Sequence, residues 1–374
     1  MKFSCEKALI QSAIATTSRA TAPKSSIPAL EGILLEADSE LRLTGYNLET
    51  GIRTVVPAEI REGGSLVLSA RLFGDIIRRL PDDIVSIATD GLTVHIQCGV
   101  SEFHIQGIDP EEFPELPAVE PQNALVLSRA TLSDMINRTL FAVSNNDGRP
   151  ILTGSLFEVV GNVLTVVSVD GQRLALRREK LEQAPDHDFS FVVPGMALGE
   201  VRGICGDGDE TVSITTGARH ILFRMGSTLL VTRRLEGEFL NYRQSISWKS
   251  DIKLVADVRQ LMTSIDRVGL ILHENTKNPL RCIVGDGCIY LSSVTAIGNA
   301  SDQCPVEGSG DDLHIGFNHR FMMDALKAVP VEKAKLLMGT PSTPCIIVPV
   351  DEPEGEEAFL FMVLPVRMSA SWDK

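Results

Sequence analysis

The feature that most constrains the fold is an internal repeat of about 125 residues, a third of the 374-residue chain. Residues 27–36 (IPALEGILLE) resemble residues 149–158 (RPILTGSLFE), and a weaker copy lies at residues 278–284 (NPLRCIV). This unit is far longer than the 20–50 residues of solenoid repeats and propeller blades. The repeat therefore predicts three similar domains in one chain.

Two further markers recur with the same spacing. A strand that runs into a helix is predicted at residues 67–72, 192–197 and 316–321. A Glu-Phe pair after a bend lies at residues 112–113 and again at 238–239. Three markers in the same order indicate a true three-fold repeat rather than chance similarity between loops.

Domain boundaries are expected where polar or proline-rich segments interrupt the pattern. Residues 114–122 and 245–250 are such segments. We therefore predict domains at residues 1–122, 123–248 and 249–374.

Each predicted domain combines helices with strands and hairpins. Apolar residues at helical spacing predict buried helix faces, and these residues are Leu132, Met135, Ile136 and Leu140; Val258, Leu261, Ile265 and Leu272; and Leu72, Ile76 and Leu80. Alternating strands follow, and Asp90-Gly91 is a typical hairpin turn. In each domain we expect a helix first, then strands, a second helix and closing strands. The pattern predicts an α+β fold, with two helices on one face of a largely antiparallel sheet.

The net charge of −14 argues at first against nucleic-acid binding, but the charge is unevenly distributed. The three predicted domains carry −8, −1 and −5, and much of the acidic excess lies in loops at residues 109–112, 207–210 and 351–357. The predicted helices carry basic residues, which are Arg71, Arg78, Arg79, Arg129, Arg138, Arg202, Arg259, Arg267, Arg320 and Lys327. For a single helix, an ordinary solvated face explains this. Recurrence on matching helices favours a shared basic surface.

An ordered set of segments resembles the bacterial DNA polymerase III β subunit family, the replicative sliding clamps. The similarity runs from residue 1 to residue 368, and the segments that carry it are MKFS at 1–4, SIPAL at 26–30, VDGQRLA at 169–175, GEFLNY at 237–242, IGFN at 315–318 and VLPVRM at 363–368.

The resemblance implies a head-to-tail dimer whose six domains close into a ring around duplex DNA. In the family, the first domain of one subunit meets the third domain of the other. Here this position maps onto Phe103 and Ile105 in a strand and onto Ile271 and Leu272 at a helix end. Ordinary core packing is the alternative explanation for these four residues.

The resemblance also implies sequence-independent DNA contacts from the helices that line the ring. By position in the family pattern, the candidate residues are Lys24, Arg71, Asn146, Arg149 and Arg202. By helix phase alone, we add Arg78, Arg79, Arg138, Arg259 and Arg267. At Gly195-Met196 the family often has a basic pair, so the second domain is expected to bind DNA more weakly there.

A hydrophobic cleft for partner peptides is implied between the second and third domains. In the family it takes a short motif of glutamine, leucine and phenylalanine from polymerases, the clamp loader and other clamp-motif proteins. The matching residues are Leu152, Val169, Gly171, Gln172, Arg173, Leu174, Leu240, Gln244, Ser245, Asn318, Phe321, Val363, Leu364, Pro365, Val366, Arg367 and Met368. Leu240 replaces a common proline, and Gln244-Ser245 is more polar than the usual pair. A buried last strand would also explain Leu364 and Val366.

The family commonly ends at the position of Met368, whereas this chain continues through residues 369–374. A disordered tail is the simplest interpretation. The alternative is that Trp372 folds back near the cleft and competes with partner peptides.

Enzyme motifs are absent from the sequence. It lacks the P-loop pattern, the G-x-S-x-G elbow, and the spacing of histidines and cysteines that metal sites use. We therefore expect no catalytic residues, no cofactor and no metal. Two alternatives stay open, which are a non-DNA oligomeric scaffold that collects peptide motifs and a hydrolase with an unrecognised site.

The expected location is the cytoplasm, at the nucleoid during replication. The seven cysteines are odd in number and form no C-x-x-C pair, which favours reduced thiols. No apolar run of about 18 residues is present, so no contact with a membrane is expected.

Overall fold

The computed structural model describes residues 1–146, 148–206, 208–247, 250–272, 278–353 and 355–367. The chain forms two compact units. Unit one is Met1–Ser133 with Met196–Arg234, and unit two is Asp134–Gly195 with the described part of Leu235–Lys374. Met368 and the tail at residues 369–374, including Trp372, lie outside the described residues.

The described residues form seven α-helices, and six of them are two or more turns long. They are α1 Lys7–Thr17, α2 Ala70–Arg79, α3 Arg129–Thr139, α4 Gly195–Cys205, α5 Tyr242–Ile246, α6 Val258–Gly269 and α7 His319–Ala328. Polar caps fix four of the starts. At α3, the Ser128 hydroxyl accepts from the Thr131 amide. The Ser69 hydroxyl accepts from the Leu72 amide, the Asp257 carboxylate from the Gln260 amide, and Asn318 Oδ1 from the Arg320 amide.

The strands are numbered in chain order. The first ten are β1 Lys2–Glu6, β2 Gly32–Ala37, β3 Leu41–Tyr46, β4 Thr50–Val56, β5 Glu59–Glu62, β6 Gly64–Ser69, β7 Ile84–Asp90, β8 Thr93–Cys98, β9 Ser101–Gln106 and β10 Asn123–Ser128. The others are β11 Gly154–Val160, β12 Val163–Val169, β13 Arg173–Lys180, β14 Phe189–Pro194, β15 Thr211–Thr216, β16 His220–Met225, β17 Thr228–Arg233, β18 Ile252–Asp257, β19 Leu280–Thr295, β20 Gly298–Phe317, β21 Lys333–Met338, β22 Cys345–Val348 and β23 Phe359–Val363.

The repeat markers appear as repeated structure. Pro28 and Pro150 each begin a short 3-10 helix, as expected for a residue with fixed φ and no amide proton. The strand-into-helix marker is confirmed three times, by β6 into α2, β14 into α4 and β20 into α7. The expected order was incomplete, because a strand precedes the first helix of each repeat, as in β1 before α1, β10 before α3 and β18 before α6.

Unit one contains two antiparallel sheets. The first has the strand order β10-β15-β16-β17-β4-β3-β2-β6, and the second has the order β5-β1-β7-β8-β9. In the first sheet, β17 pairs with β4 from Thr228↔Thr54 to Thr232↔Thr50. Side-chain hydroxyls reinforce this junction, with Oγ1–Oγ1 distances of 2.9 Å for Thr54–Thr228 and 3.2 Å for Thr50–Thr232.

The core of unit one lies between its helices and strands. Ile10 and Ile14 of α1 pack with Phe73 and Ile77 of α2 and with strand residues such as Phe3. One expectation was wrong here. Leu72 is 47% exposed, because the buried face of α2 is formed by Ala70, Phe73, Ile76 and Ile77 and Leu72 lies at the margin of that face.

Unit two is built on one antiparallel sheet with the order β14-β11-β12-β13-β23-β22-β21-β18-β20-β19. β13 pairs with β23 from Arg173↔Val363 to Arg177↔Phe359, which joins strands of the second and third repeats into one sheet. Helices α6 and α7 cover strands of the third repeat, and their buried residues, such as Leu261, Ile265 and Met322, share one core with Phe317 and Phe361. The α+β architecture expected from the sequence is confirmed.

The seven cysteines carry free thiols, and six of them are buried. Burial raises the pKa of Cys345 to about 12 and that of Cys5, with help from the Glu6 charge, to about 12. These buried thiols are therefore poor nucleophiles at neutral pH. Among the described residues, no helix is both long enough and apolar enough to cross a membrane.

Candidate functional site

An apolar cluster in unit two brings several of the predicted cleft residues together, and its buried surface is referred to as the floor. We call it the cleft cluster, and its buried members are Leu152, Leu156, Val167, Val169, Leu174, Leu176, Val192, Tyr242, Ile346, Val348, Leu360 and Met362. Three of them, Leu152, Val169 and Leu174, were predicted cleft residues. Leu364, also predicted, packs against the cluster while partly exposed.

Backbone hydrogen bonds hold the segment after β23 beside this floor. The Leu364 amide donates to the Gln172 carbonyl at 2.8 Å, and the Val366 amide donates to the Gly316 carbonyl at 2.8 Å. Val363 is fully buried, whereas Leu364, Pro365 and Val366 are half-buried and Arg367 is exposed. The predicted residues of this segment therefore border the floor, apart from Met368, which lies outside the described residues.

The turn between β12 and β13 carries three predicted cleft residues. Asp170 Oδ1 accepts hydrogen bonds from the amides of Gln172, at 2.8 Å, and Arg173, at 3.0 Å. Gly171 adopts φ of +92°, a left-handed conformation that favours glycine. This turn exposes Gln172 and places Arg173 at the edge of the floor.

Arg173 is fixed by charge and by aromatic contacts. Its Nε lies 2.9 Å from Asp170 Oδ2, and its Nη1 lies 2.6 Å from Asp324 Oδ2. The guanidinium carbon also lies 4.3 Å from the ring centroid of Phe321, within the range of cation–π attraction. Only 11% of the side chain is exposed, so Arg173 presents a rigid polar group beside an apolar surface.

An open pocket of about 660 Å³ lies against the cleft cluster. Its apolar walls are Ile246, Leu337, Ile346, Val348 and Leu360, and Arg178, Lys253, Lys335 and Glu352 are among its polar residues. These five apolar residues were not among the cleft residues predicted from position in the family pattern. The alternation of Leu360 and Met362 in the last strand was a usable signal, because both side chains point to the same face.

The other predicted cleft residues are more exposed. Leu240 is 41% exposed, Gln244 is exposed, and Ser245 is half-buried with polar interactions of its own. Asn318 caps α7, and Phe321 is half-buried on the first turn of that helix.

A polar network anchors α5 beside the cleft cluster. Tyr242 Oη donates to Glu158 Oε2 at 2.6 Å, and Arg243 Nη2 lies 2.5 Å from the same oxygen. Burial alone would raise the pKa of the Glu158 carboxyl, but hydrogen bonds from Arg243 and Tyr242 outweigh burial and lower that pKa. Burial and the hydrogen bond to Glu158 raise the pKa of Tyr242.

In unit one, the predicted DNA-contacting residues lie on exposed surfaces. The exposed face of α2 carries Arg71, Arg78 and Arg79. On this face Asp75 pairs with Arg78 and, at 3.3 Å, with Arg79. Lys24 is exposed in the loop after α1. Arg202 is exposed on α4 and has a polar partner of its own.

In unit two, these predicted residues differ in their surroundings. Arg259, Arg149 and Asn146 are exposed, and Asn146 Oδ1 accepts from the Gly148 amide. Arg267 is 56% exposed and pairs with Asp302 at 2.5 Å. Arg138 is only 22% exposed, because it pairs with Asp134 and donates to the Ala328 carbonyl, each at 2.6 Å. Its contacts favour a structural role.

The position that lacks a basic pair is also exposed. Met196, on the first turn of α4, is 83% exposed. At this position an exposed apolar side chain therefore replaces the basic residue that the family often has.

The predicted dimer residues divide into exposed and buried groups. Phe103 is 37% exposed and Ile105 half-buried on β9, an edge strand of its sheet. Ile271 is half-buried, but Leu272 is only 7% exposed and packs in the core of unit two. Leu270 beside them was missed and is 78% exposed.

Comparison with known proteins accounts for this arrangement. Three family models of the DNA polymerase III β subunit match consecutive parts of the chain, the N-terminal domain at residues 1–117, the central domain at 126–241 and the C-terminal domain at 244–363.

The chain belongs to the DNA polymerase III β subunit family. Members of this family are sliding clamps, which are processivity factors of DNA replication and not catalytic enzymes. The resemblance recognised in the sequence is therefore confirmed.

Individual relatives extend the match over the whole chain. The β sliding clamp of Staphylococcus aureus is 32% identical over 379 residues, covering 98% of this chain and 99% of the relative. The structure of the DNA polymerase sliding clamp from Bacillus subtilis is 28% identical, with a TM-score of 0.93 over 99% of this chain and 100% of that one. The β subunit from the DNA polymerase of Streptococcus pyogenes is 29% identical, with a TM-score of 0.92 over 98% and 100% of the two chains.

Proposed function

We propose that two copies of this chain close head to tail into a ring that encircles duplex DNA and tethers the replicative polymerase. The three family matches, which lie between residue 1 and residue 363, are the observation that carries this proposal. The free edges of β9 in the first repeat and β19 in the third support it, because unpaired edges are a hazard that ring closure removes.

Binding to DNA in such a ring is topological, so each phosphate contact can be weak. Exposed basic side chains on α2, α4 and α6 offer contacts without base readout, which permits sliding. Arg71, Arg202 and Arg259 are the central candidates, and Lys24, Arg149 and Asn146 supplement them from loops. Ion pairs with Asp75 and Asp302 partly neutralise three other candidates, which are Arg78, Arg79 and Arg267.

We further propose that the cleft cluster takes a short peptide motif from polymerases, the clamp loader and other partners. Apolar side chains of the motif would enter the floor and the adjoining pocket, whose volume is within the range of peptide and ligand sites. Arg173 and the backbone around Gly171 would orient the peptide through polar contacts. Loading onto DNA would need the ATP-driven loader, and the protein would act in the cytoplasm at the nucleoid.

The test combines the mass and shape of the particle with its behaviour on DNA. Light scattering should give a dimer, electron microscopy should show a hole of DNA width, and the loaded protein should stay on nicked circles but slide off linear DNA. Equal loss from circular and linear DNA would contradict the ring. It would leave the peptide-collecting scaffold as the better account.

A further inference from the structure

The hairpin formed by β8 and β9 brings together three side chains that can bind a metal ion. His95 and His104 are direct partners in the antiparallel register, because they are equidistant from the turn at Gly99-Val100. Glu102 lies two residues before His104, so its side chain is on the same face of the strand. The sequence search for short metal-binding motifs missed this group, since only the strand register makes the three residues neighbours.

The distances within this group suit coordination. His104 Nε2 lies 3.1 Å from Glu102 Oε1, and the two imidazole centroids are 4.3 Å apart with the rings at 80°. One potential ligand atom from each residue lies within 4.8 Å of the others. In a tetrahedral zinc site with bonds of 2.0–2.2 Å, ligand atoms are about 3.3 Å apart. Small side-chain rotations would therefore complete the site.

The strand that carries His95 is anchored in the core of unit one, while the group itself is exposed. Val94 and Ile96, which alternate with His95 on β8, are fully buried in the core of unit one. The side chains of Glu102 and His104 are 62% and 53% exposed. On the other side of His95, its register partner on β7 is Ala88, whose side chain has no atom that can bind a metal.

We propose that His95, Glu102 and His104 bind one divalent transition-metal ion of the zinc type, with water in the remaining position. Two imidazole nitrogens and one carboxylate oxygen form a common zinc donor set, and imidazole favours such ions over magnesium or calcium. The site lies on the edge strand β9, with Phe103 and Ile105 on its opposite face. The inference does not depend on DNA, on peptides or on dimer formation.

The test uses the full chain freed of metal by a chelator. Calorimetric titration with Zn²⁺ and absorption titration with Co²⁺ should each show one ion per chain. The single substitutions His95→Asn and His104→Asn should each weaken Zn²⁺ binding at least about tenfold, because each removes one of three protein ligands. Glu102→Gln should weaken it in the same direction.

The matched control is His187→Asn, an exposed histidine in the loop before β14. This control removes one imidazole from the protein surface and should leave Zn²⁺ binding unchanged. Circular dichroism and thermal unfolding should show that each variant is folded. Absence of saturable binding, one ion per two chains, or equal affinity in the hairpin variants and the wild type would overturn the proposal.

Discussion

Arg173 on β13 and Asp324 on α7 form an ion pair of 2.6 Å at the edge of the cleft cluster. The contact ties a strand of the second repeat to a helix of the third. It also holds the guanidinium against the Phe321 ring, which is half-buried. Arg173 is thus positioned before any peptide arrives, and preorganised groups lose less conformational entropy on binding.

Removing Asp324 should therefore weaken peptide binding without changing the apolar floor. We expect Asp324→Asn to raise the Kd of a Gln-Leu-Phe-type peptide about 3- to 10-fold, since one of the two carboxylates that restrain Arg173 is lost. Fluorescence anisotropy with a labelled peptide measures this. The control is Asp266→Asn on the exposed side of α6, which makes the same charge change. Equal affinity of the two variants would show that Asp324 does not organise the cleft.

Arg71 should contribute to DNA affinity mainly through its charge. We expect Arg71→Ala to reduce the slope of log K against log salt by about 1 for a short duplex, as for one lost phosphate contact. The measurement is affinity across a series of salt concentrations. Arg61→Ala on β5 is the control in the same unit, because that side chain is 61% exposed and pairs with Glu59. A similar change in both variants would indicate a nonspecific charge effect.

Arg138 should differ from Arg71, because its contacts are internal. Arg138→Ala removes the ion pair to Asp134 and the hydrogen bond to the Ala328 carbonyl. The expected cost is about 1–3 kcal/mol in the free energy of unfolding, typical for partly buried hydrogen bonds of charged groups. Denaturant unfolding measures this cost, with Arg61→Ala expected to lie near the wild type. Unchanged stability together with weaker DNA binding would instead favour a DNA-contacting role.

The sequence predicted the architecture well, for identifiable reasons. Repetition of the proline turn at Pro28 and Pro150 and of the strand-into-helix transition required three similar units. Helix phase was less certain, and Leu72 shows why. Ile76 and Leu80 are buried as expected, but the buried face is centred on Phe73 and Ile77, so Leu72 lies at its margin and is exposed.

The site was only partly predictable from sequence. Leu152, Val169 and Leu174 were predicted by position in the family pattern, and the structure places them in one cluster. Whether a basic side chain is available to contact DNA depends on its ion-pair and hydrogen-bond partners. Nothing in the sequence showed that Arg138 contacts Ala328, which is 190 residues away. Cross-strand register likewise determines that His95 and His104 meet, and register becomes visible only once the hairpin is folded.

The exposed Leu270 provides a test of ring closure. It is the C-cap of α6, next to the predicted interface residues Ile271 and Leu272. If this helix end is covered in the dimer, Leu270→Asp places a charge in an apolar contact and should raise the dimer dissociation constant at least about tenfold. Sedimentation velocity over a dilution series measures this constant. Val160→Asp, at an exposed hairpin in the same unit, should leave the dimer unchanged. A Leu270→Asp protein as dimeric as that control would exclude this helix end from the interface.

The Glu158 network predicts a specific dependence of stability on pH. The pKa of Glu158 in the folded protein is below its ordinary value of 4.5, so the folded state binds the proton less readily than the unfolded state does. The stabilisation is therefore complete above pH 4.5 and is lost as the pH falls through the lower, folded value. Glu158→Gln should destabilise the protein by about 1–2 kcal/mol at pH 7, with the difference shrinking under acid conditions. Denaturant unfolding at several pH values measures this difference.

Tyr242→Phe is the companion variant. It removes one hydrogen bond but keeps the Glu158 carboxylate, so it should give a smaller loss of stability with the same pH trend. The contrary result is a stability difference between Glu158→Gln and the wild type that stays constant down to pH values well below 4.5. That result would show that the carboxylate charge does not stabilise the Glu158 network.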